Sequence, residues 1–314
     1  MMDSIIASSI DQYAQDLNDG GSKAIIGSPN TIWIRHEFFS MLRFPTFYLD
    51  VPTLLEIKAL WNERVALASY LIKPDLSHRA NSFLYTCEDN SYNLNKLSDK
   101  TKSDIRRATR ELKIAFIDWP TLMKEGFPSF RDTRSRVGLS DGTFNNFKSW
   151  YEYLSKIKAH YVVGARKEDR LVAYMCLTVV NDSIEVGDFC STTEYRHHRP
   201  NNGLLYFIID YFLVLKKFKI ISYGVSSIQP ETDKTGLHRF KTKMGFQARP
   251  VHRVFVFNPL LKPFINKFSL HSLKLLLKLN AKNRKLKKCI GVFESVFNKE
   301  EIIDSDEREL SDEG

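Results

Sequence analysis

An α+β fold with central mixed sheets is what this 314-residue sequence predicts, and three observations carry the prediction. Between residues 160 and 257, stretches that alternate apolar and polar side chains take turns with stretches of helical spacing, the periods of strand and helix. Turn-forming residues sit where the period changes. The hydrophobic and charged fractions, 43% and 26%, are those of a globular chain able to bury a core.

Taken in order, residues 1–30 are polar and punctuated by Gly, Ser and Asn, which predicts a loosely held start around one short helix near 10–17. Segments 31–35 and 46–50 have strand composition, and 54–70 has helical spacing. The run Ser-Phe-Leu-Tyr-Thr-Cys ending at Cys87 predicts a strand, and 93–112 a helix with a start signal at Ser98 or Asp99. Strands follow over 160–165 and 171–180, joined by Lys167-Glu168-Asp169-Arg170, and over 183–190 after the hairpin signal Asn181-Asp182. A helix over 204–215, a strand over 219–225, a helix over 236–244 and a strand over 251–257 make this an antiparallel meander leading into a βαβ unit.

The formal net charge of +9 and pI near 9.2 point to anionic partners: nucleotides, nucleic acid, anionic sugars or a membrane surface. Cys87, Cys176, Cys190 and Cys289 are far apart and form neither a CxxC pair nor a Cys/His cluster, which argues against a metal site or disulfide framework and for a reducing compartment. The first residues carry no basic segment followed by an apolar run, and nowhere do 18 apolar residues stand in succession, so the expected location is cytoplasmic. Segment 262–288 holds nine Lys or Arg and no Asp or Glu, with Phe264, Phe268, Leu273, Leu276 and Leu277 spaced for an apolar stripe. Its two readings are a peripheral helix at the inner face of a membrane and a terminal helix packed on the core.

The segment 195–246 carries the chemistry. It reads Arg-His-His-Arg-Pro-Asn-Asn-Gly-Leu-Leu, an apolar helix, a short strand, and then Gly236-Leu-His-Arg-Phe-Lys-Thr-Lys-Met-Gly-Phe246. A polar, glycine-containing turn that opens a helix presents backbone N–H groups and the positive end of the helix dipole, suited to a phosphate or a developing oxyanion. The order strand, loop, helix, strand, helix ending in Gly-Phe, strand resembles the core of the GNAT acyltransferases. Within that superfamily, Pro200-Asn-Asn-Gly-Leu-Leu-Tyr206, Tyr223-Gly224 and Gly236-Leu-His-Arg-Phe-Lys241 resemble the Fem-type aminoacyltransferases and their polysaccharide-biosynthesis acetyltransferase relatives. Lys100 to Glu111 resembles the basic helix that links the two halves of the Fem fold, and Thr133-Arg-Ser-Arg-Val-Gly-Leu139 resembles its Thr-x-x-Arg-x-Gly-Phe segment. The chain departs from the pattern in three places. Lys241 stands where many GNAT enzymes carry a tyrosine general acid, four residues before the glycine. The pyrophosphate loop starting from Arg199 has its glycine one place late and leucine where a small residue is usual. The strand lacks the Asp before its Tyr-Gly pair.

The resemblance implies a GNAT-like acyltransferase fold of two tandem halves, a degenerate half over 31–120 and a catalytic half over 121–258; composition adds a loosely ordered segment over 1–30, a basic amphipathic helical segment over 259–299 and an acidic disordered tail over 300–314. The resemblance also implies an N-acyltransferase that moves an acyl group, typically acetyl from acetyl-CoA or another acyl-CoA, to an amine of a sugar nucleotide or of a small-molecule or lipid-linked cell-envelope precursor, with no metal. The implied donor site is Arg199, Asn201, Asn202, Gly203 and Leu204. Implied substrate contacts are Arg106, Arg136, Tyr206, Tyr223 and Arg239, the arginines because guanidinium forks match phosphate and carboxylate oxygens in pairs. Transfer needs a neutral nucleophile, donors aimed at the carbonyl oxygen and a proton source for the leaving group. Asp188 and Glu185 are the carboxylates nearest the loop, and strict alternation lets only one face the cleft, with Asp188 favoured. Lys241 is placed to stabilise negative charge, and His238 stands one turn earlier on the same helix face. Aminoacyl-tRNA is the alternative donor, although the long heptad-bearing arm of Fem enzymes is not found. A second alternative is a non-enzymatic nucleic-acid- or membrane-binding module built on the basic helices at 100–113 and 262–288.

Overall fold

A computed structural model of the chain describes residues 5–36, 40–139, 142–226, 234–280, 283 and 286–297. In chain order the elements are α1 (Ile10–Asp19), β1 (Ala24–Ile26), β2 (Ile32–His36), β3 (Ser40–Phe44), α2 (Leu54–Asn62), β4 (Leu67–Ile72), β5 (Ser82–Cys87), α3 (Asp99–Glu111), β6 (Lys113–Ile117), α4 (Trp119–Glu125), α5 (Phe127–Arg136), α6 (Phe144–Leu154), β7 (His160–Lys167), β8 (Arg170–Val180), β9 (Ser183–Ser191), α7 (Pro200–Ile209), β10 (Ile220–Val225), α8 (Lys234–Lys243), β11 (Gln247–Phe257) and α9 (Lys267–Leu279). Mixed sheets with helices bear out the expected fold class. The chain forms two compact units, one of residues 1–23, 85–224 and 238–248, the other of 24–84, 225–237 and 249–314. These units interleave along the chain, and a division into tandem halves near residue 120 stays a proposal.

In the first unit the strand order is β5-β10-β9-β8-β7-β6. The meander β6 to β9 is antiparallel, and β10 joins β9 in parallel through the crossover helix α7. Alternation along β8 sends Ala173, Met175 and Leu177 into a core shared with α3 and α7, and Tyr174 and Cys176 into a second core shared with α4, α5 and α6. Helices thus cover both faces, which explains why β8 reads as a continuous apolar run. The short helix expected near 10–17 is present as α1 and packs on the core: Ile10, Tyr13, Ala14 and Leu17 form one apolar face and are buried. At roughly 1.5–3 kcal/mol for each large apolar side chain buried, that face outweighs the loop-like composition around it.

The second unit has the order β1-β2-β3-β4-β11. Two expectations are corrected here. The helical spacing over 54–70 ends at Asn62, because Arg64 takes a left-handed φ of 57° and 67–72 continues as β4. The strand expected at 46–50 is a turn and irregular chain following β3, fixed by Arg43, whose guanidinium donates to the Asp50 carbonyl at 2.6 Å and to its carboxylate at 2.8 Å. The acidic tail at 300–314 lies outside the described residues. Among those described, no helix is long and apolar enough to cross a membrane, no group of three or more His, Cys, Asp or Glu is placed to hold a metal, and the four cysteines are free.

Candidate active site

The parallel ladder between β9 and β10 runs only from Ser183–Ile220 to Glu185–Ser222. Beyond that point β9 keeps its pairing with β8, while Tyr223 and Gly224 have no partner on β9. The two strands therefore part at the carboxyl end of their shared run, where a parallel sheet leaves room for a ligand. Ser222 and Glu185, both buried, sit at the closed end of this opening.

Lys241 lies against β10's free stretch. Its helix α8 stops at Gly245, whose φ of 92° suits glycine and whose missing Cβ makes room for the Tyr92 ring, 2.7 Å from where that atom would be. Tyr92 then donates to the Met244 carbonyl at 3.0 Å, and Met244 and Phe246 are buried. With the helix pinned this way, the Lys241 side chain points inward and is only 3% exposed. Its Nζ donates to the Tyr223 carbonyl at 3.0 Å and stands 4.1 Å from the centre of the Tyr85 ring and 4.3 Å from that of Tyr223. Burial pulls its pKa down to about 7, while the two ring faces attract the cation. His238, one turn earlier, hydrogen-bonds through Nδ1 to the Tyr85 hydroxyl at 3.0 Å. Burial raises the pKa of both Tyr85 and Tyr223. The structure thus brings Lys241, His238 and Tyr223 together, with Tyr85 as a fourth member that the sequence reading passed over as a strand residue.

Asp188 belongs to a second cluster. It accepts from the Trp150 indole Nε1 at 2.6 Å and from the Tyr151 hydroxyl at 3.2 Å, and Tyr151 in turn pairs with the Tyr174 hydroxyl at 2.8 Å. Burial, then the Asp188 charge, pushes the Tyr151 pKa far up and keeps this phenol a neutral donor. The expectation that only one of Glu185 and Asp188 can face a given side is corrected by a β-bulge. Leu177 pairs with Val186 and Met175 with Phe189, so β9 spends one residue more than β8 in that interval and its alternation slips. Glu185, opposite Thr178, Cys190, opposite Tyr174, and Asp188, bonded to Tyr151, consequently share one side of the strand. The neighbouring Phe189 ring packs 6.3 Å from that of Tyr223, spanning the parted strands between the two clusters.

The expected donor segment is placed differently from the sequence reading. Pro200, Asn201, Asn202 and Gly203 are the first turn of α7 itself, and the cap position belongs to Arg199 in a left-handed conformation, φ 60° and ψ 41°. Proline's fixed φ and missing N–H suit that first helical position. The N–H groups of Asn202 and Gly203 are engaged by the Arg199 carbonyl, at 3.0 and 3.2 Å. Gly203 is a packing residue: a Cβ there would lie 2.8 Å from the Ala108 Cβ and 2.5 Å from Ile114 Cδ1, and Leu204 is buried in the core. Arg199 pairs with Asp104 at 3.0 Å, Asn202 approaches the Met244 sulfur at 3.5 Å, and the buried Asn201 Oδ1 has no hydrogen-bond donor among the described residues.

Of the remaining expected contacts, Arg136 is committed to structure. Its guanidinium binds Asp132 at 2.9 Å, the Ser191 carbonyl at 3.2 Å and the Thr193 hydroxyl at 3.0 Å, tying the end of α5 to the end of β9. Arg106 on α3 and Arg239 on α8 are exposed, and the Tyr206 ring on α7 packs 6.1 Å from Tyr92. Trp150 and Tyr151 lie on helix α6, which the sequence analysis does not predict, and Tyr174 carries no local mark beyond its place in the expected strand β8.

The parted parallel strands, the crossover helix and the helix ending in Gly-Phe are the features of a GNAT-like fold. No protein-family model matches the chain, and no curated protein does. Among solved structures, it is similar in fold to the C-terminal domain of a putative lysylphosphatidylglycerol synthetase from Agrobacterium fabrum, with 16% identity, a TM-score of 0.54 and coverage of 79% of this chain and 88% of that one. A structure of FemX aligns at 11% identity with a TM-score of 0.54, covering 80% and 92%. L-PGS from Bacillus licheniformis aligns at 11% identity with a TM-score of 0.52, covering 80% and 93%.

Proposed function

We propose that this protein is an N-acyltransferase that moves an acyl group, acetyl in the simplest case, from a thioester donor to an amine of a sugar nucleotide or of a cell-envelope precursor. The observation that carries this reading is Lys241: a buried lysine between two tyrosine rings, beside parted parallel strands, at the place where GNAT enzymes carry their general acid. The acceptor amine attacks the thioester carbonyl, a C–N bond forms and the C–S bond breaks. Asp188 receives the proton that the nitrogen loses, and the Lys241 ammonium protonates the departing thiolate. A lysine near pKa 7 is a stronger acid than a free thiol of pKa about 8.5, so that proton transfer runs downhill.

The donor's phosphates are assigned to the start of α7 and to Arg199, with Arg106 and Arg239 as further contacts, and an acyl-CoA fits these groups. The fold similarity to proteins named lysylphosphatidylglycerol synthetase and L-PGS supports a lipid-linked acceptor within this class. On that reading the protein works in the cytoplasm, with α9 at the inner membrane face. The test is mass spectrometry of transfer products after offering acetyl-CoA and longer acyl-CoAs with amino-sugar nucleotides and with amine-bearing lipid precursors. An acylated amine that forms with the wild type and not with Lys241→Met is the expected result. Free thiol release without an acylated amine, or full transfer by the variant, overturns the assignment.

A further inference from the structure

The second unit contains a cavity of about 320 Å³ that plays no part in the chemistry above. Its floor is one face of the sheet. Arg253, Phe255 and Phe257 alternate along β11, and the registers Phe255–Ser69, Phe257–Leu67, Ser69–Leu42 and Leu67–Ser40 place the β4 and β3 residues on the same side. The helix over 286–297 forms the other wall with Cys289, Val292 and Phe293, and the Phe293 ring packs 5.8 Å from that of Phe257. Small side chains on the floor, Ser40 and Ser69, leave the space open. The size lies within the range of about 300–1,000 Å³ typical of small-molecule sites.

Charge narrows the occupant. Among the described residues the lining carries Arg253, Lys288 and His36 and no Asp or Glu. Among the described residues the Arg253 guanidinium makes one hydrogen bond, Nε to the Ser69 hydroxyl at 3.3 Å, and otherwise lies 4.9 Å over the Phe255 ring. Burial pulls its pKa down to about 10, because the enclosed guanidinium loses hydration. A guanidinium fork at the edge of a largely apolar space fits a ligand with an anionic head for the fork and a hydrocarbon tail for the phenylalanine and valine wall.

We propose that this cavity binds a single-chain amphiphile with a carboxylate head, such as a fatty acid anion, the head on Arg253 and the chain along Phe255, Phe257, Val292 and Phe293. This is a binding site separate from the proposed transfer chemistry and does not rest on it. The test is an equilibrium titration of the full chain with dansyl-undecanoic acid and with its methyl ester, followed by fluorescence, so no acyl transfer is read. The acid is expected to bind more tightly than the ester by roughly ten- to a hundred-fold, the worth of a charge-assisted contact. Arg253→Gln should bring the acid down to the affinity of the ester, and Val292→Trp, which fills the cavity, should remove both, with circular dichroism confirming folding. Laurate should displace the probe and inorganic phosphate should not. Equal affinity of the wild type for acid and ester, displacement by phosphate, or binding of the acid unchanged in both variants overturns the proposal. The comparison of acid and ester on the wild type decides even where a variant fails to fold.

Discussion

Lys241 concentrates the chemistry of the candidate site in one side chain. A lysine in water has a pKa near 10.4 and is a weak acid at neutral pH; burial to 3% exposure pulls the Lys241 value down to about 7. As proton donor it acts in its charged form, which is full below that value and declines as pH rises through it. Transfer activity should therefore show a limb that falls above about pH 7, and kcat/KM measured from pH 5.5 to 9 should lose that limb in Lys241→Met, with a drop of roughly 10²–10⁴-fold. An unaltered falling limb in the variant assigns it to another group and removes Lys241 as the acid. Asp188 carries a separate expectation. Because Trp150 and Tyr151 hold the carboxylate in place, Asp188→Asn should keep the fold and lose activity, with the larger effect in kcat, whereas Trp150→Phe should be milder because Tyr151 still holds the carboxylate. Equal loss of thermal stability and activity in Asp188→Asn would make the residue structural. The sequence put Lys241 in view through its spacing of four from Gly245, a local feature. Tyr85, whose ring forms the other side of the cage and which lies 153 positions from its partner His238, carries no local mark that distinguishes it from any strand tyrosine.

The elements explain where reading by periodicity succeeds and where it stops. Helix α3 and strands β7, β8 and β10 are legible because one period persists over each and a cap such as Ser98 opens the helix, whereas the helix expected over 204–215 starts at Pro200 and changes to a π-helical turn at Asp210–Leu215. The bulge in β9 was not legible, since the extra residue is defined only by its partner strand, and it reverses the inference about Glu185 and Asp188. Gly203 shows the same limitation from the opposite side. Its place near a helix start suggested a phosphate turn, but the structure gives it to the close approach of α7 and α3. A Cβ would meet the Ala108 Cβ at 2.8 Å, and that atom cannot swing away as a long side chain can. Gly203→Val should accordingly cost about 1–3 kcal/mol or more of stability by overpacking, measured by urea unfolding. Asn201→Ser, in the same turn, should leave stability nearly unchanged and weaken the donor's apparent affinity instead. A Gly203→Val protein as stable as the wild type would remove the packing role assigned to this glycine.

Across the whole molecule, the excess of nine positive charges is not spread without pattern, and the second unit carries part of it beside exposed apolar surface. Helix α9 buries none of its residues: Phe268 is 80% and Leu279 86% exposed, in company with Lys267, Lys274 and Lys278. Of these lysines, Lys274 is paired with Glu294 at 2.8 Å. Of the apolar stripe expected from the sequence, Phe264, Phe268 and Leu276 are exposed while Leu273 and Leu277 are half-buried, and the outward part suits an interfacial helix. Each lysine near an anionic bilayer contributes on the order of 1 kcal/mol at low salt, and the phenylalanine and leucine insertions add a term that salt does not screen. Cosedimentation should consequently show the full chain pelleting with phosphatidylglycerol-containing vesicles and not with neutral ones, weakening as salt rises without vanishing. Phe268→Ser with Leu279→Ser should remove the residual binding at high salt, because those side chains supply the unscreened part. Binding that disappears entirely with salt in the wild type, or that survives both substitutions unchanged, would return α9 to the role of a solvated surface helix and leave the acceptor among soluble amines.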